Sequence, residues 1–262
     1  METLKVNGLI IREVSVGDSD KLITVLTETM GKITVSCKGV RSIKSKRIAA
    51  SQLFSYGELL LSVRGSRYYL SDAYVENSFF ELGTSLEKFS LAQYFCQVVS
   101  CVTVENEDQR DILSLILNSL YVLCHQNKNT DLVKAVFEMR LCALIGFCPD
   151  LSACQTCTSE LSEGGEKSAF LDIGGGCLIC SDCVLTEERS MGQKSAYLPL
   201  SDHILSALRF IVSAPAKKIF SFSFSHDEGS IKELSDITEK YLRYHLDRGF
   251  ETLDFYHSII GL

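Results

Sequence analysis

The chain has 262 residues, 46% of them hydrophobic and 23% charged, a balance that supports a well-buried core and excludes a low-complexity polymer. No apolar run approaches the ~18 residues that a membrane-spanning helix needs. The opening METLKVNGLI lacks the basic and apolar regions of a secretory signal, so 11 cysteines predict thiols in a reducing cytoplasm rather than disulfides.

In chain order, residues 1–78 predict β-structure. Apolar and β-branched runs fall at Leu4–Ile11, Leu22–Thr27, Lys32–Cys37, Leu53–Val63 and Tyr68–Val75, with turn residues between them. Five short strands at this spacing predict a small barrel. Between the third and fourth runs lies a basic loop, KGVRSIKSKR. Net charge is −7, which alone argues against a polyanion partner, but from Thr29 to Gly57 there are six cations and no acid. Lys38, Arg41, Lys44, Lys46 and Arg47 are therefore candidate phosphate contacts. Phe54, Tyr56, Tyr68 and Tyr69 flank them; strand alternation turns about half of such aromatics into the barrel core and leaves the others as stacking platforms.

From Phe79 the apolar period becomes helical. Leu91, Phe95, Val98, Val99 and Val102 share one face, Ile112 to Leu123 a second and Val133 to Ile145 a third. Asn129-Thr130-Asp131 is a predicted cap for the third helix, and Gly146 with Pro149 a predicted stop. Helices resume at Ser201–Ser213 and Ile231–Leu246. The expected division is residues 1–78, 79–150, 151–186 and 187–262: barrel, first helical part, metal-binding insertion, second helical part.

That insertion carries two cysteine knuckles, Cys154-x-x-Cys157 and Cys180-x-x-Cys183, separated by 22 residues. Each turn presents two thiolates on one side, and two turns close a tetrahedron around one zinc ion. Four thiolates leave no open position, so such a zinc is structural. The register is open: Cys177 can replace Cys183, and Cys148 is a weaker candidate. Gly174-Gly175-Gly176 belongs to no phosphate-loop frame and reads as a sharp turn beside the metal, and Ser162–Lys167 as an exposed loop. Support for an enzyme is scant. H-E-x-x-H and G-x-S-x-G are absent. His125, His203, His226, His245 and His257 are scattered; Asp18 and Asp20 read as a solvated turn, and Glu187-Glu188 as a solvated helix start.

In order and spacing these segments resemble the RecO family of bacterial recombination mediators across nearly the whole chain. GLIIREVSVGDSDKLITVLTETMGKITVSCKGVRSIKSKR is similar to the family's opening, with Asp18 where glutamate is usual in its turn. LLLSVRGSRYYLSDAYVENSF, VFEMRLCALIGFCPDLSACQTC, GGGCLICSDC and YLRYHLDRGFETLDFY resemble its next strand pair, first knuckle, second knuckle and C-terminal helix. The resemblance implies an α+β protein: an OB-type barrel, then a helical domain carrying the cysteine knuckles. It favours Cys180 and Cys183 over Cys177. It also implies binding of single- and double-stranded DNA and annealing of complementary strands. The partners it implies are RecR and the acidic tail of single-strand DNA-binding protein, during loading of RecA in the cytoplasm at the nucleoid. Arg140 matches a basic family position and is the candidate cation for that tail. A DNA-processing enzyme with a structural zinc and a protein-binding adaptor are the alternatives.

Overall fold

The alternating apolar residues of the first segment close into a barrel. In the computed structural model its strands are β1 (Glu2–Val16), β2 (Asp20–Thr27), β3 (Lys32–Cys37), β4 (Tyr56–Arg64) and β5 (Arg67–Asn77), in the order β1-β2-β3-β5-β4. The structure describes residues 2–42, 45, 47–161, 167–191, 197–221, 224 and 228–261. Val6, Ile10, Ile23, Val25, Ile33, Val35, Leu59, Leu61 and Leu70 point inward and fill the barrel. β1 serves two neighbours: it pairs with β4 from Glu2 to Leu9 and with β2 from Gly8 to Val16. A register shift between Ile10 and Arg12 bends it from one role to the other. The barrel closes through the parallel pair β3–β5, Val35 opposite Tyr68 and Ser36 opposite Tyr69.

Two strand limits differ from the sequence pattern by more than two residues. β1 runs on to Val16, because the hairpin beyond the bulge is exposed on both faces and carries no alternation to read. β4 begins at Tyr56 rather than Leu53, because Phe54 turns the chain at φ 66° and buries its ring against Phe89 at 5.5 Å. At the start of β4 a side chain on Gly57 would stand 2.1 Å from the Tyr74 carbonyl, so that close backbone approach admits only glycine.

The chain divides into two compact units, Met1–Asn127 with Phe250–Leu262, and Lys128–Gly249. In the first, α1 (Leu86–Val102) and α2 (Arg110–His125) pack on β1. The second begins with α3 (Thr130–Leu144), whose predicted cap forms: the Asn129 side chain accepts from the amides of Asp131 and Leu132. There follow β6 (Asp150–Cys154), β7 (Ala169–Asp172), β8 (Cys177–Cys180), α4 (Ser181–Met191), β9 (Tyr197–Leu200), α5 (Asp202–Ser213) and α6 (Glu228–Leu246). The four strands form a sheet in the order β6-β8-β7-β9, joined at β7–β8 by the triple-glycine turn. Between α3 and α6 the ammonium of Lys134 is fully buried, 3.2 Å from Glu138 and 2.9 Å from Glu239. It also donates to the Ser235 carbonyl and hydroxyl, while Thr238 donates to Glu138 at 2.8 Å.

The single C-terminal helix expected from the resemblance is two helices. Asp247 turns left-handed at φ 47°, and α7 (Glu251–Ile260) returns to the first unit. There Phe250 packs edge-on to Tyr94 at 5.7 Å, and Thr252 donates to Gln97. Glu187-Glu188 falls inside α4 rather than at a helix start. The architecture is α+β, an OB-like barrel followed by a largely helical remainder. Among the described residues no helix is long and apolar enough to cross a membrane.

Candidate nucleic-acid interface and candidate metal centre

Because β3 runs parallel to β5, the chain leaving Cys37 emerges beside Tyr69 and Leu70, which places Lys38 at that edge of the barrel. Arg47 clips the far end of the basic loop to the same place, donating to the Leu70 carbonyl at 2.6 Å and to the Lys38 carbonyl at 3.1 Å. The near end is held from the other side by the β1–β2 turn. Asp20 accepts from the Gly39 amide at 2.8 Å and from the Lys38 ammonium at 2.7 Å. Arg41 reaches the same turn, its amide to the Ser19 carbonyl at 2.9 Å and its guanidinium to the Gly17 carbonyl at 3.1 Å. The Gly39 amide and then the Lys38 ammonium hold the Asp20 carboxyl below its ordinary range. The structure thus groups Lys38, Arg41 and Arg47. Lys44 and Lys46 lie outside the described residues, as do Ser162–Glu166 and His226.

The outer barrel face next to this loop carries Val14 opposite Leu22, Leu22 opposite Ser36, and Ser36 opposite Tyr69. Val14 and Leu22 are 42% and 41% exposed, an apolar pair facing solvent. The Arg64 guanidinium lies 5.3 Å over the Tyr69 ring, and Arg67 stands opposite Arg64 at the hairpin end. Of the four flanking aromatics, Tyr69 alone joins this row. Phe54 is buried, Tyr68 packs against the barrel core, and Tyr56 is half-buried at the far end of β4. No sequence pattern joins Arg64 and Arg67 to the loop cations, because their turn lies apart from the basic loop along the chain; the β3–β5 closure unites them.

The stretch Thr27–Lys32, inside the opening segment that carries the resemblance, has a structural task. The buried Thr27 hydroxyl donates to the Gly31 carbonyl at 2.8 Å and accepts the Met30 amide at 3.1 Å. Gly31, at φ 65°, lets the turn press on the α1–α2 connection, where a side chain would meet the Val104 carbonyl. Lys32 donates to Val104 by its amide and to Ser100 by its ammonium. Lys32 is thereby turned to α1, away from the loop cations.

In the second unit, Cys154 ends β6, Cys180 ends β8 and Cys183 lies in the first turn of α4. With Cys157 their sulfurs all lie within 4.8 Å of one another, and Cys157 and Cys180 are 3.7 Å apart. Sulfurs ~2.3 Å from a tetrahedral zinc stand ~3.8 Å apart, so the donor set and its spacing fit a thiolate-bound metal. The set contains Cys183 and neither Cys177 nor Cys148. The Cys180 amide donates to the Cys154 sulfur at 3.3 Å. Hydrogen bonds from Ser159 are the main pull that brings the Cys157 thiol down to about 6, which favours the thiolate. At Cys154 burial opposes the charge, but the amides of Cys157, Cys180 and Thr156 outweigh it and lower the thiol. The Cys183 thiol is pushed up, first by burial and then by the neighbouring sulfurs.

Two arginines frame this region. Arg209 of α5 donates to the carbonyls of Leu151 at 2.7 Å and Leu161 at 2.8 Å, tying the helix to both sides of the first knuckle; nothing in the sequence marked it. Arg140 of α3 donates to the Val212 carbonyl at 2.7 Å and more weakly to Ile211, at the negative end of α5. Its neighbour Glu138 is engaged with Lys134 instead.

The chain is similar to known proteins along its length. The family model Recombination protein O N terminal matches residues 1–79, and Recombination protein O C terminal matches residues 83–254. DNA repair protein RecO of Acetivibrio thermocellus is 31% identical over 99% of this chain and 98% of its own. The protein of the same name from Caldicellulosiruptor bescii is 27% identical over 99% of this chain and 100% of its own. That of Symbiobacterium thermophilum is 31% identical over 70% of this chain and 72% of its own.

Proposed function

Because the chain belongs to the RecO family of DNA repair proteins, we propose that it binds DNA on the outer barrel face and basic loop and anneals complementary strands as a recombination mediator. The observation that supports this reading best is the convergence of Lys38, Arg41, Arg64 and Arg67 around a row of exposed Val14, exposed Leu22 and half-buried Tyr69. Cations neutralise phosphates, and flat or apolar side chains receive unstacked bases. This face runs across β1, β2, β3 and β5 and so includes β2 and β3, the strands by which an OB-type barrel takes oligonucleotides. Annealing requires no covalent chemistry, only two strands held with their charge screened. Lys38, Arg41, Lys44, Lys46 and Arg47 remain the proposed phosphate contacts. Among the described loop cations, Arg47 differs in holding two carbonyls with its guanidinium.

The same reading places one structural zinc on Cys154, Cys157, Cys180 and Cys183, where it would fix β6, β8 and α4 together. Elemental analysis of protein purified without chelator should give one zinc per chain, lost in Cys157→Ser and kept in Cys177→Ala. Loss in Cys177→Ala alone would move the site. RecR and the acidic tail of single-strand DNA-binding protein are proposed partners on the strength of the family, with Arg140 the proposed cation for the tail. The place of action is the cytoplasm, at the nucleoid.

The deciding experiment is binding and annealing of labelled oligonucleotides across salt. If the five loop cations each meet a phosphate, log affinity should fall against log salt with a slope of roughly −3.5 on single strands and about −4.5 on duplex. Lys44→Glu with Lys46→Glu should weaken binding to every sequence alike, because phosphate contacts carry no base information. A double variant that binds and anneals at the wild-type rate would remove DNA from the loop. Cleavage of the oligonucleotides in the presence of magnesium would point to a processing enzyme instead.

A further inference from the structure

The β1–β2 turn holds the basic loop from outside. Asp20 takes the Gly39 amide on one carboxylate oxygen and the Lys38 ammonium on the other, at 2.8 Å and 2.7 Å. Ser19 and Gly17 give their carbonyls to the Arg41 amide and guanidinium at 2.9 Å and 3.1 Å. The Lys38–Arg41 segment is thereby fastened at three successive cation-bearing or backbone points, and Arg47 fastens the loop's other end. Electrostatics alone gives an acid at such a place one effect: it repels phosphate and weakens binding. Order has the opposite effect. A loop that must be arranged on binding loses on the order of 1 kcal/mol of conformational freedom per residue, and a loop arranged beforehand does not.

We propose that Asp20 is a positioning residue for DNA binding, an acid that strengthens attachment of a polyanion by fixing Lys38 and Arg41 where phosphates meet them. This inference rests on the proposed DNA-binding role of the loop. Asp20 does not contact the nucleic acid; it acts through the two cations. Its carboxyl is only partly buried, and the barrel core is formed without it, so its role is separable from folding. An aspartate is ionised near neutral pH in any case, and the Gly39 amide first, then the Lys38 ammonium, hold this one further below its ordinary range.

Asp18 provides a charge-matched control in the same turn. It is exposed and lies two residues away. Asp18→Ala and Asp20→Ala alter net charge equally, so a long-range field cannot distinguish them. The full-length protein and both variants are titrated with a labelled single-stranded oligonucleotide at several salt concentrations, with melting curves alongside. Asp18→Ala should bind as the wild type does, or up to about twofold tighter. Asp20→Ala should bind about fivefold weaker than Asp18→Ala, with a salt slope shallower by about 0.7, one phosphate contact on a single strand. Melting points should coincide. Asp20→Asn offers a second variant should Asp20→Ala fold poorly; it keeps an acceptor for the Gly39 amide and should fall between the two. Either Asp20 variant binding as tightly as Asp18→Ala, at an unchanged slope, overturns the proposal. If Lys44→Glu with Lys46→Glu leaves binding intact, the loop is not the DNA site and both readings fall. If that double variant is weakened and Asp20→Ala is not, only the positioning role falls.

Discussion

Lys38 and Lys134 make the same kind of contact in opposite surroundings. Each ammonium stands within hydrogen-bond reach of a carboxylate, 2.7 Å to Asp20 and 2.9 Å to Glu239. Lys38 is 68% exposed, whereas Lys134 is fully buried between α3 and α6. Water screens the first pair, so Asp20 can orient the Lys38 ammonium while its remaining donors stay open to the phosphate proposed for it. The second pair has lost its water. It persists because the protein supplies every missing bond: two carboxylates, the Ser235 carbonyl and the Ser235 hydroxyl around one ammonium. Length does not rank two ion pairs; what each charge would face alone does.

The comparison breaks first at Lys134. Lys134→Met leaves Glu138 buried without its cation and should cost about 3–5 kcal/mol in chemical denaturation. The sign with pH follows from the raised lysine pKa. Burial opposes the charge there, and Glu138 and Glu239 outweigh it, so the contribution is complete below the ordinary lysine value. The gap between Lys134→Met and wild type should therefore hold steady from about pH 7 to about pH 10 and close only above that. A gap that closes near neutrality would mean the lysine is buried uncharged.

A sharper form adds Glu138→Leu to Lys134→Met. Removing both buried charges should recover about 2 kcal/mol of the loss, because Glu239 keeps Arg243 at 3.4 Å and some exposure to water. No recovery would show that the methionine's shape, not the orphaned carboxylate, was responsible. Lys38→Met should leave the denaturation midpoint nearly unchanged and yet flatten the salt dependence of single-strand binding by about 0.7. The smallest effect is expected at Lys5, whose 2.6 Å bridge to Glu58 is exposed. Lys5→Met should shift the denaturation midpoint by no more than about 0.5 kcal/mol in free energy.

What could be read in the sequence was what is local in it. The knuckles were legible because each thiolate pair needs only a C-x-x-C turn. The choice of Cys183 over Cys177 was not settled by spacing; it depends on α4 beginning directly after β8, which carries Cys183 to the other three sulfurs. The basic loop was legible as charge. Its restraint by Asp20 was not, because the partner lies 18 residues upstream across a strand pair. The i,i+4 spacing of Lys134 and Glu138 reads as an ordinary surface pair until Ser235, 101 residues on, closes over it. Strands of four or five residues around the cysteines gave too few alternations to register, so the sheet β6-β8-β7-β9 appeared only in three dimensions. Arg140 was legible as a basic position but not as the group that caps α5.

The return of α7 to the first unit sets a timetable for the nascent chain. Residues up to Asn127 leave the ribosome well before Phe250. Until then, the surface of α1 that receives Phe250, Leu253 and Tyr256, each at most 1% exposed in the finished protein, stays wet. A barrel that pairs its own strands early therefore waits on a helix made almost last, and the second unit has to be threaded out between the two events. Synthesis that stalls in α6 would release an N-terminal unit with the α7-facing side of α1 uncovered, a substrate for chaperones and proteases rather than a working half-protein.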